Sequence, residues 1–199
     1  MKINELTGYK SNDLYNKAKE VFGSDIRDKP LYLSLDEWED IMKQYGFKHL
    51  GTGNYGSVYE RSGYPWVFKI FTYDKAYFDF LNYARRNQRN PHIPKIKGRY
   101  IRINKNTYAV RLEKLRPISD TEFKKISEVL NKIDMILNNS DSDPTPDEVQ
   151  FIKNNMNLYE LMMTLTKTDT FMDYGVDLHQ SNIMMRGNTP VLADPVIGW

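Results

Sequence analysis

Residues 173–199, DYGVDLHQSNIMMRGNTPVLADPVIGW, decide how the rest of the chain is interpreted. Asp177 and Asn182 stand five residues apart in this stretch. Two short apolar runs follow on either side of the turn residues 187–188, and Asp194 comes directly after the second run. This order predicts a loop, a β-hairpin and a second acidic loop, with the three polar side chains at one end of the hairpin.

Such an arrangement of oxygen-bearing side chains suits phosphoryl transfer. A carboxylate such as that of Asp177 can hold and deprotonate an attacking hydroxyl. Asn182 and Asp194 offer the oxygen ligands that Mg²⁺ prefers. The alternative from these residues alone is an ordinary surface hairpin, because D-x-H and D-P pairs are common in loops.

Upstream, residues 50–69 read LGTGNYGSVYERSGYPWVFK and contain the pattern GxGxxGxV. The commonest other meaning of these glycines is a dinucleotide-binding turn that opens a helix. Here two apolar runs around a turn follow, which predicts two strands and disfavours that alternative. Glycines in such a hairpin let the backbone close over phosphates, and a lysine on the next strand can reach the α- and β-phosphates. The candidate nucleotide-binding residues are Gly51, Gly53, Gly56, Val58 and Lys69.

Taken together, residues 47–196 resemble the protein-kinase-like superfamily. The motifs GTGNYGSVYE, VFKIF, NPHIPKI, YAVRLEKL, VDLHQSNIMM and LADPV look most similar to the small Ser/Thr protein kinases that lytic bacteriophages make early in infection. The resemblance implies that Lys69 anchors phosphate and Asp177 is the catalytic base. It also implies that Asn182 and Asp194 are metal ligands, with ATP and Mg²⁺ as cofactors.

The resemblance further implies an α+β fold, a minimal bilobal protein-kinase-like fold with an antiparallel-sheet small lobe and a truncated helical large lobe. Residues 1–46 would form an N-terminal helical appendage, 47–115 the small lobe and 116–199 the reduced large lobe. Glu113 and Leu115 fall where kinases connect the lobes and bind the adenine edge through backbone groups. The alternative for both residues is the end of an edge strand.

The chain departs from ordinary protein kinases in several places. Gly175 and Val176 replace the first two residues of the HRD triplet, and His179 stands where a lysine is usual. Residues 195–196 replace the last two residues of DFG. The sequence stops five residues after Asp194, so an activation segment and later helices are not expected. The resemblance therefore supports nucleotide binding better than protein phosphorylation.

The helix predicted over 74–88 also differs from the kinase pattern. In protein kinases this helix supplies a glutamate that pairs with the strand lysine, but there is no glutamate between residues 61 and 112. Asp79 and Asp74 are candidate substitutes for pairing with Lys69, although an aspartate is one methylene shorter. The alternative for each is an exposed acid on the helix surface.

Capping boxes predict where the other helices begin. They start at Ser34, Ser119 and Thr145, each followed by glutamate three residues later. The last one predicts a single, largely buried helix over 146–166, because apolar side chains occupy most of its circumference. A further helix-like stretch lies at 12–22, where apolar residues recur at helical spacing.

Composition limits the class of protein. The 199 residues are 40% hydrophobic and 27% charged, as in soluble globular proteins. Neither a long apolar run nor a signal-like segment is found, so we expect no membrane span and a cytoplasmic location, that of the host cell if the protein is phage-encoded. With no cysteine and three scattered histidines, disulfides and thiolate sites are excluded and a zinc site is disfavoured.

Charge is distributed unevenly along the chain. Residues 85–116 contain eleven Lys or Arg and one acid, whereas 117–199 contain thirteen acids and six bases. A basic segment of this kind can contact nucleic acid or an acidic partner. A solvated face with phosphate-site basic residues is the favoured alternative, because no base-stacking motif accompanies it. The sequence does not indicate an oligomeric state.

The function predicted from these observations is an ATP-dependent Ser/Thr protein kinase of phage type, which transfers the γ-phosphate to host or own protein hydroxyls. The first alternative is a catalytically silent kinase-like module that binds nucleotide and inhibits a host protein by binding it. The second is a small-molecule kinase, which His179 in D-x-H-x-x-N suggests. It is disfavoured because an acidic C-terminal helical pocket for a cationic acceptor is missing.

Overall fold

The computed structural model describes four stretches of the chain, residues 35–53, 56–98, 100–139 and 143–198. The helix-like stretch predicted at 12–22 and the predicted cap Ser34 lie outside these stretches. The chain divides into two units, each described separately below. The first unit runs to Tyr73 and includes Lys97–Lys114, and the second contains Asp74–Ile96 and continues from Leu115.

Helix α1, Leu35–Gln44, precedes the sheet of the first unit. The helix ends at Gln44, and Gly46 follows it with a φ of 75°, in the left-handed region that glycine adopts without a steric penalty. The N–H groups of Gly46 and Phe47 both bond back to carbonyls of the last turn, at 2.9 Å each. This is a Schellman termination. Trp38 and Met42 of α1 are buried.

The sheet of the first unit has five antiparallel strands in the order β1-β2-β3-β5-β4. Its strands are β1 Lys48–Gly53, β2 Gly56–Glu60, β3 Trp66–Thr72, β4 Ile101–Arg102 and β5 Thr107–Glu113. Helix α1 packs on this sheet and closes one apolar core. The members of that core are Trp38, Met42, Phe47, Tyr59, Phe68, Ile70, Ile103 and Ala109.

A buried hydroxyl group joins α1 to the sheet. Tyr59 on β2 donates a hydrogen bond of 2.6 Å to Glu39 Oε1 on α1. Burial, together with this acceptor, raises the pKa of Tyr59 to about 12. The hydroxyl therefore stays protonated near neutral pH and remains a donor.

The second unit contains four described helices. They are α2 Lys75–Arg86, α3 Asp120–Asn138, α4 Pro146–Asn154 and α5 Met156–Lys167. The capping boxes predicted at Ser119 and Thr145 are confirmed, each with reciprocal bonds to the glutamate three residues later. A capping box can be predicted from sequence because the cap and its glutamate partner lie within one helical turn.

The prediction of one buried helix over 146–166 is wrong. The chain leaves helical geometry at Asn155, with φ −124° and ψ 24°, and its side-chain amide donates to the carbonyl of Phe151 at 2.9 Å. Asparagine competes in this way for backbone groups that a helix would otherwise use. Helix α4 has no buried residue, whereas α5 buries Leu158, Leu161, Met162 and Leu165.

Two small antiparallel sheets complete the second unit. One has the order β6-β8-β9, and the other pairs β7 with β10. Their strands are β6 Arg116–Pro117, β7 Gly175–Val176, β8 Ile183–Arg186, β9 Thr189–Leu192 and β10 Val196–Ile197. The protein is thus a mixture of helices and antiparallel sheet, which confirms the α+β class. The bilobal kinase-like arrangement and the division at residues 46 and 115 stay predictions.

In the described part of the chain, every helix is too short or too polar to cross a bilayer.

Candidate active site

The glycine pattern lies in a β-hairpin, as predicted. Strands β1 and β2 pair antiparallel, with Gly51 opposite Val58 and Gly53 opposite Gly56. The two residues that join these strands, 54–55, are outside the described stretches. Because a strand follows the glycines, the dinucleotide-binding alternative is wrong.

The glycines of this hairpin meet different surroundings. A Cβ atom built at Gly56 would lie 2.2 Å from the carbonyl oxygen of Ile70 and 3.0 Å from Cα of Phe71. A Cβ atom at Gly51 would meet nothing within 4 Å. Gly56 is therefore required for close approach of β2 to β3, whereas Gly51 leaves its backbone accessible.

Lys69 lies on the central strand of the same sheet. On β3 it stands opposite Val58 of β2 and Val110 of β5. The glycine hairpin and the candidate phosphate-binding lysine are thus carried on adjacent strands of the first unit. Glu113 pairs with Trp66 at one end of the β3–β5 ladder, and Lys69 lies in the middle of that ladder.

Leu115, the second residue predicted at an adenine edge, is the first residue of the returning segment of the second unit and is half-buried. Its neighbour Lys114 closes the first unit, where the Lys114 backbone N–H donates to the carbonyl of Pro65 at 3.2 Å. The Lys114 side chain also forms an ion pair with Glu60. The roles predicted for Glu113 and Leu115 stay predictions.

The candidate catalytic base follows strand β7. The N–H of Asp177 donates to the carbonyl of Pro195 at 2.8 Å, and Val176 pairs with Val196 on β10. These contacts fasten the loop of Asp177 to the segment that follows Asp194. Two loops that are distant in sequence are therefore joined by backbone bonds.

Asn182 connects both loops. It ends the 3₁₀ turn Gln180–Asn182, and its Nδ2 donates to the carbonyl of Asp177 at 3.1 Å. Its own carbonyl accepts from the N–H groups of Ala193 and Asp194, at 2.8 and 3.4 Å. The structure therefore brings Asp177, Asn182 and Asp194 together at one end of the β8–β9 hairpin. The chemical roles of these three residues stay predictions.

His179 lies between the candidate base and the candidate metal ligand. Its Nε2 is 3.3 Å from Asp177 Oδ2 and 3.4 Å from Asn182 Nδ2, and its Nδ1 is 2.9 Å from Ser181 Oγ. One ring nitrogen can serve only one of these neighbours at a time. With a proton, Nε2 donates to Asp177; without one, it accepts from Asn182. The tautomer thus decides which of the two side chains His179 orients.

The donor set fits Mg²⁺. Asn182 directs its amide nitrogen to the carbonyl of Asp177, which leaves its Oδ1 as a candidate ligand atom, and the backbone N–H of Asp194 bonds to the Asn182 carbonyl. Groups of three or more His, Cys, Asp or Glu that could hold a metal are missing from the described residues. Mg²⁺ ordinarily binds through one or two protein oxygens and completes its shell with phosphates and water. Asn182 and Asp194 would hold the ion there, and it would neutralise phosphate charge.

Contacts with another segment of the second unit hold the β8–β9 hairpin that carries this cluster. Gly187 turns it with a φ of 58°, and Ile183 pairs with Leu192. Arg186 on β8 donates to the carbonyls of Pro91 and Ile93 at 2.6 and 2.9 Å. Sequence analysis missed this role of Arg186. The available signal was the proline-rich segment, whose carbonyls need partners outside regular structure.

His92 in the same segment supports the second strand of the hairpin. Its backbone carbonyl accepts from the N–H of Leu192 at 2.9 Å, and its Nδ1 donates to the carbonyl of Pro190 at 2.8 Å. Burial lowers the pKa of His92, the hydrogen bond to Pro190 opposes this change, and the positive charge of Arg186 adds to it. His92 is therefore a neutral structural group.

The candidate catalytic loop is also bonded to helix α3. Gln180 Nε2 donates to Asp120 Oδ1 in the first helical turn at 2.8 Å. Arg116 on β6 donates to Glu122 and to the carbonyl of Gly187 at the hairpin tip. The Arg116 bonds and those from Ser119 hold the pKa of Glu122 far below its usual range. The bonds from Gln180 to Asp120 and from Arg116 to Gly187 span 60 and 71 positions, so no local sequence pattern predicts them.

The two acids of α2 have roles that the sequence interpretation did not name. Asp74 is the N-cap, and its carboxylate accepts from the N–H groups of Ala76 and Tyr77 at 2.8 and 3.3 Å. Asp79 accepts from Lys75 Nζ and from the hydroxyl of Tyr174, at 2.9 and 2.7 Å. Both carboxylates thus have partners within the second unit.

Comparisons with known proteins identify relatives of this chain. The family described as bacteriophage T7 protein kinase 0.7 matches residues 16–197. Among solved structures, the Cydia pomonella granulovirus kinase PK-1 is similar at 13% identity with a TM-score of 0.37. That alignment covers 79% of this chain and 56% of the granulovirus kinase, so the chain spans little more than half of that protein. No curated protein sequence matches the chain.

The family match extends over both units and includes every candidate residue of the nucleotide, catalytic and metal positions. The glycine hairpin, the β8–β9 hairpin and the two acidic loops all lie within it. On this match, the chain belongs to the family of the bacteriophage T7 protein kinase 0.7.

Proposed function

We propose that the protein is an ATP- and Mg²⁺-dependent protein kinase that phosphorylates Ser or Thr hydroxyls. The observation that carries this proposal is the cluster of Asp177, Asn182 and Asp194, joined by hydrogen bonds through the carbonyls of Asp177 and Asn182. A base and two oxygen ligands at one loop end are the protein groups that phosphoryl transfer requires. The family membership supports the same reaction class.

Each residue has a distinct task in this proposal. Asp177 orients the acceptor hydroxyl and takes its proton as the bond from the hydroxyl oxygen to the γ-phosphorus forms and the bond from that phosphorus to the bridging oxygen breaks, so that ADP leaves. Asn182 and Asp194 hold Mg²⁺, which neutralises phosphate charge when it is bound. Lys69 binds the α- and β-phosphates, and the open backbone at Gly51 accommodates the nucleotide. His179 positions either the base or the amide ligand, depending on its tautomer.

The proposed acceptors are proteins of an infected host cell, or the kinase itself, in the host cytoplasm. This part of the proposal is supported by the phage origin of the matched family. Eleven Lys or Arg in residues 85–116 also permit contact with nucleic acid. A protein acceptor is favoured because the base and ligand cluster serves hydroxyl phosphorylation.

A second candidate function is a silent module that binds nucleotide and acts by binding a host protein. A specific observation favours it. Helix α2 contains no glutamate, and the carboxylate of Asp79 already accepts from Lys75 and Tyr174. In active protein kinases an acid of the corresponding helix pairs with the strand lysine. The bonds that Asp79 already makes to Lys75 and Tyr174 disfavour that role for its carboxylate.

The decisive experiment is incubation of the purified protein with γ-labelled ATP and Mg²⁺, alone and with a host-cell lysate. Asp177→Asn preserves the shape of the base and removes its charge, so we expect transfer to fall about 10²- to 10⁴-fold. ATP affinity measured by calorimetry should change by less than about threefold, because Asp177 does not hold phosphate. Asp173→Asn, an exposed acid of the same unit, is the matched control.

The outcomes separate the two functions. Label on protein that disappears in Asp177→Asn and persists in Asp173→Asn establishes the kinase. Full transfer by Asp177→Asn contradicts the assignment of the base. Binding of ATP by the wild type without any transfer rejects the kinase and establishes nucleotide binding by a silent module.

A further inference from the structure

Three side chains of the second unit form a closed hydrogen-bonded triangle. Lys75 Nζ donates to Asp79 Oδ2 at 2.9 Å and to the hydroxyl of Tyr174 at 2.5 Å. That hydroxyl donates in turn to Asp79 Oδ2 at 2.7 Å. Tyr174 thus uses its single donor and one acceptor position within the triangle.

The triangle joins helix α2 to the residue before strand β7. Lys75 and Asp79 lie one turn apart on α2, and Tyr174 directly precedes β7 and stands three residues before Asp177. Helix α2 also lies against the end of β10, where a Cβ atom at Gly198 would be in ordinary contact with the helix start. The helix therefore reaches both strands that flank the candidate active-site loops.

The surroundings favour a persistent contact. The side chain of Asp79 is 27% exposed, whereas that of Lys75 is 68% exposed. Burial raises the pKa of Tyr174, the bond from Lys75 opposes this change, and Asp79 adds to it. The phenol therefore keeps the proton that it donates. The ring of Tyr174 also packs edge-on against the buried Phe171, with centroids 6.2 Å apart.

An exposed ion pair within one helix contributes little by itself. The bond between Tyr174 and Asp79 is different, because it joins groups ninety-five residues apart and one of them is the last residue before β7. Fixing that residue fixes where β7 begins. The N–H of Asp177 then meets the carbonyl of Pro195 at the far end of the same short strand pair.

We propose that Lys75, Asp79 and Tyr174 form a positioning network that holds helix α2 to strand β7 and so sets the place of Asp177. Asp79 acts through Tyr174 and does not touch the reacting atoms. Where transfer is the measurement, this inference rests on the proposed kinase function. Its structural part is independent of that function.

The test compares Tyr174→Phe with Tyr83→Phe. Both variants remove one hydroxyl that contacts α2 or lies on it, and Tyr83 also packs edge-on against Phe171. The hydroxyl of Tyr83 is 3.5 Å from Thr164 and is not bonded to the strand before Asp177. Tyr83→Phe is therefore a matched control for loss of a phenol hydroxyl in this aromatic cluster.

The first measurement is amide hydrogen exchange of Asp177, whose N–H bonds to Pro195. We expect about tenfold faster exchange in Tyr174→Phe, unchanged exchange in Tyr83→Phe and similar melting temperatures for both variants. Asp79→Ala removes the acceptor and should reproduce the effect of Tyr174→Phe. Combining the two substitutions should accelerate the exchange of Asp177 little further, because each alone already breaks the bond between Tyr174 and Asp79.

The second measurement is phosphate transfer. In Tyr174→Phe we expect kcat to fall about tenfold while KM for ATP changes less than twofold, since misplacing a base affects the chemical step. Unchanged Asp177 exchange in Tyr174→Phe, or equal acceleration in Tyr83→Phe, would overturn the inference. If the wild type transfers no phosphate, the kinase proposal fails and the exchange comparison still decides this one.

Discussion

The two hairpins that carry the candidate site residues are built differently. In the glycine hairpin of the first unit, all residues of β1 are exposed, and β2 buries only Tyr59. In the hairpin of the second unit, β8 buries alternate side chains and β9 buries three in succession. An exposed strand can close over a ligand at little cost, whereas a buried hairpin holds attached groups in place.

The external supports of the two hairpins differ in the same direction. Arg186 and His92 fasten the second hairpin to the proline-rich segment 91–94, and Arg116 bonds to the carbonyl at its tip. The glycine hairpin is fastened to β3 by the strand ladder, which Gly56 permits by lacking a side chain. Substitutions in the first hairpin should therefore change ligand binding, and those around the second should change catalysis and stability.

After the loss of transfer expected for Asp177→Asn, the largest expected effect is that of Asp194→Asn in the second acidic loop. Loss of a carboxylate ligand should raise the Mg²⁺ concentration needed for half-maximal transfer at least tenfold, and should lower kcat about 10²-fold. A titration of transfer rate against Mg²⁺ measures both effects. Asp173→Asn should leave the titration unchanged. An unchanged Mg²⁺ midpoint in Asp194→Asn would remove this residue from the metal site.

A smaller effect is expected on the free energy of unfolding, where substitution of Gly56 should cost more than substitution of Gly51. Gly56→Ala places a Cβ atom 2.2 Å from a backbone oxygen, so β2 or β3 must shift at a cost of about 1–3 kcal/mol in the free energy of unfolding. Gly51→Ala meets nothing within 4 Å and should cost less than about 0.5 kcal/mol. Denaturant unfolding measures both, and equal costs would show that the close approach of β2 to β3 is relaxed in solution.

The smallest effect should appear in the pH dependence of stability. Burial lowers the pKa of His92 below its unfolded value of about 6.5, so the unfolded chain binds the proton more readily. The free energy of unfolding should therefore fall as pH drops below about 6.5. His92→Asn should reduce this slope in thermal unfolding, and His49→Asn, at an exposed site, should not. Equal slopes in all three proteins would exclude His92 as the source.

Some elements were predictable because their determinants are adjacent in the chain. The capping boxes at Ser119 and Thr145, the helix stop at Gly46 and the turn at Gly187 each depend on residues within one or two turns. The same is true of the helix break that was missed at Asn155. Its side chain competes with the helical backbone, and apolar periodicity does not reveal that competition.

Other features depend on contacts between distant segments. The cap role of Asp74 is local, but the bond from Tyr174 to Asp79 spans the helices between them. The sequence pattern singled out Asp79 as a candidate substitute for the missing glutamate, and it could not identify Tyr174 as the partner of Asp79. The same holds for Arg186, whose carbonyl acceptors lie more than ninety residues earlier.

The sequence by itself determined the element types, the hairpin positions of the candidate site residues and the polar groups available for phosphate and metal. Short-range hydrogen bonding and side-chain periodicity specify these features, and both depend on residues that are close together in the sequence. Only the tertiary structure decided that Asp177 bonds to Pro195, that Asn182 joins two acidic loops and that Gly56 is needed for packing. These contacts depend on which segments become neighbours in the fold, and the packing of the whole core decides that.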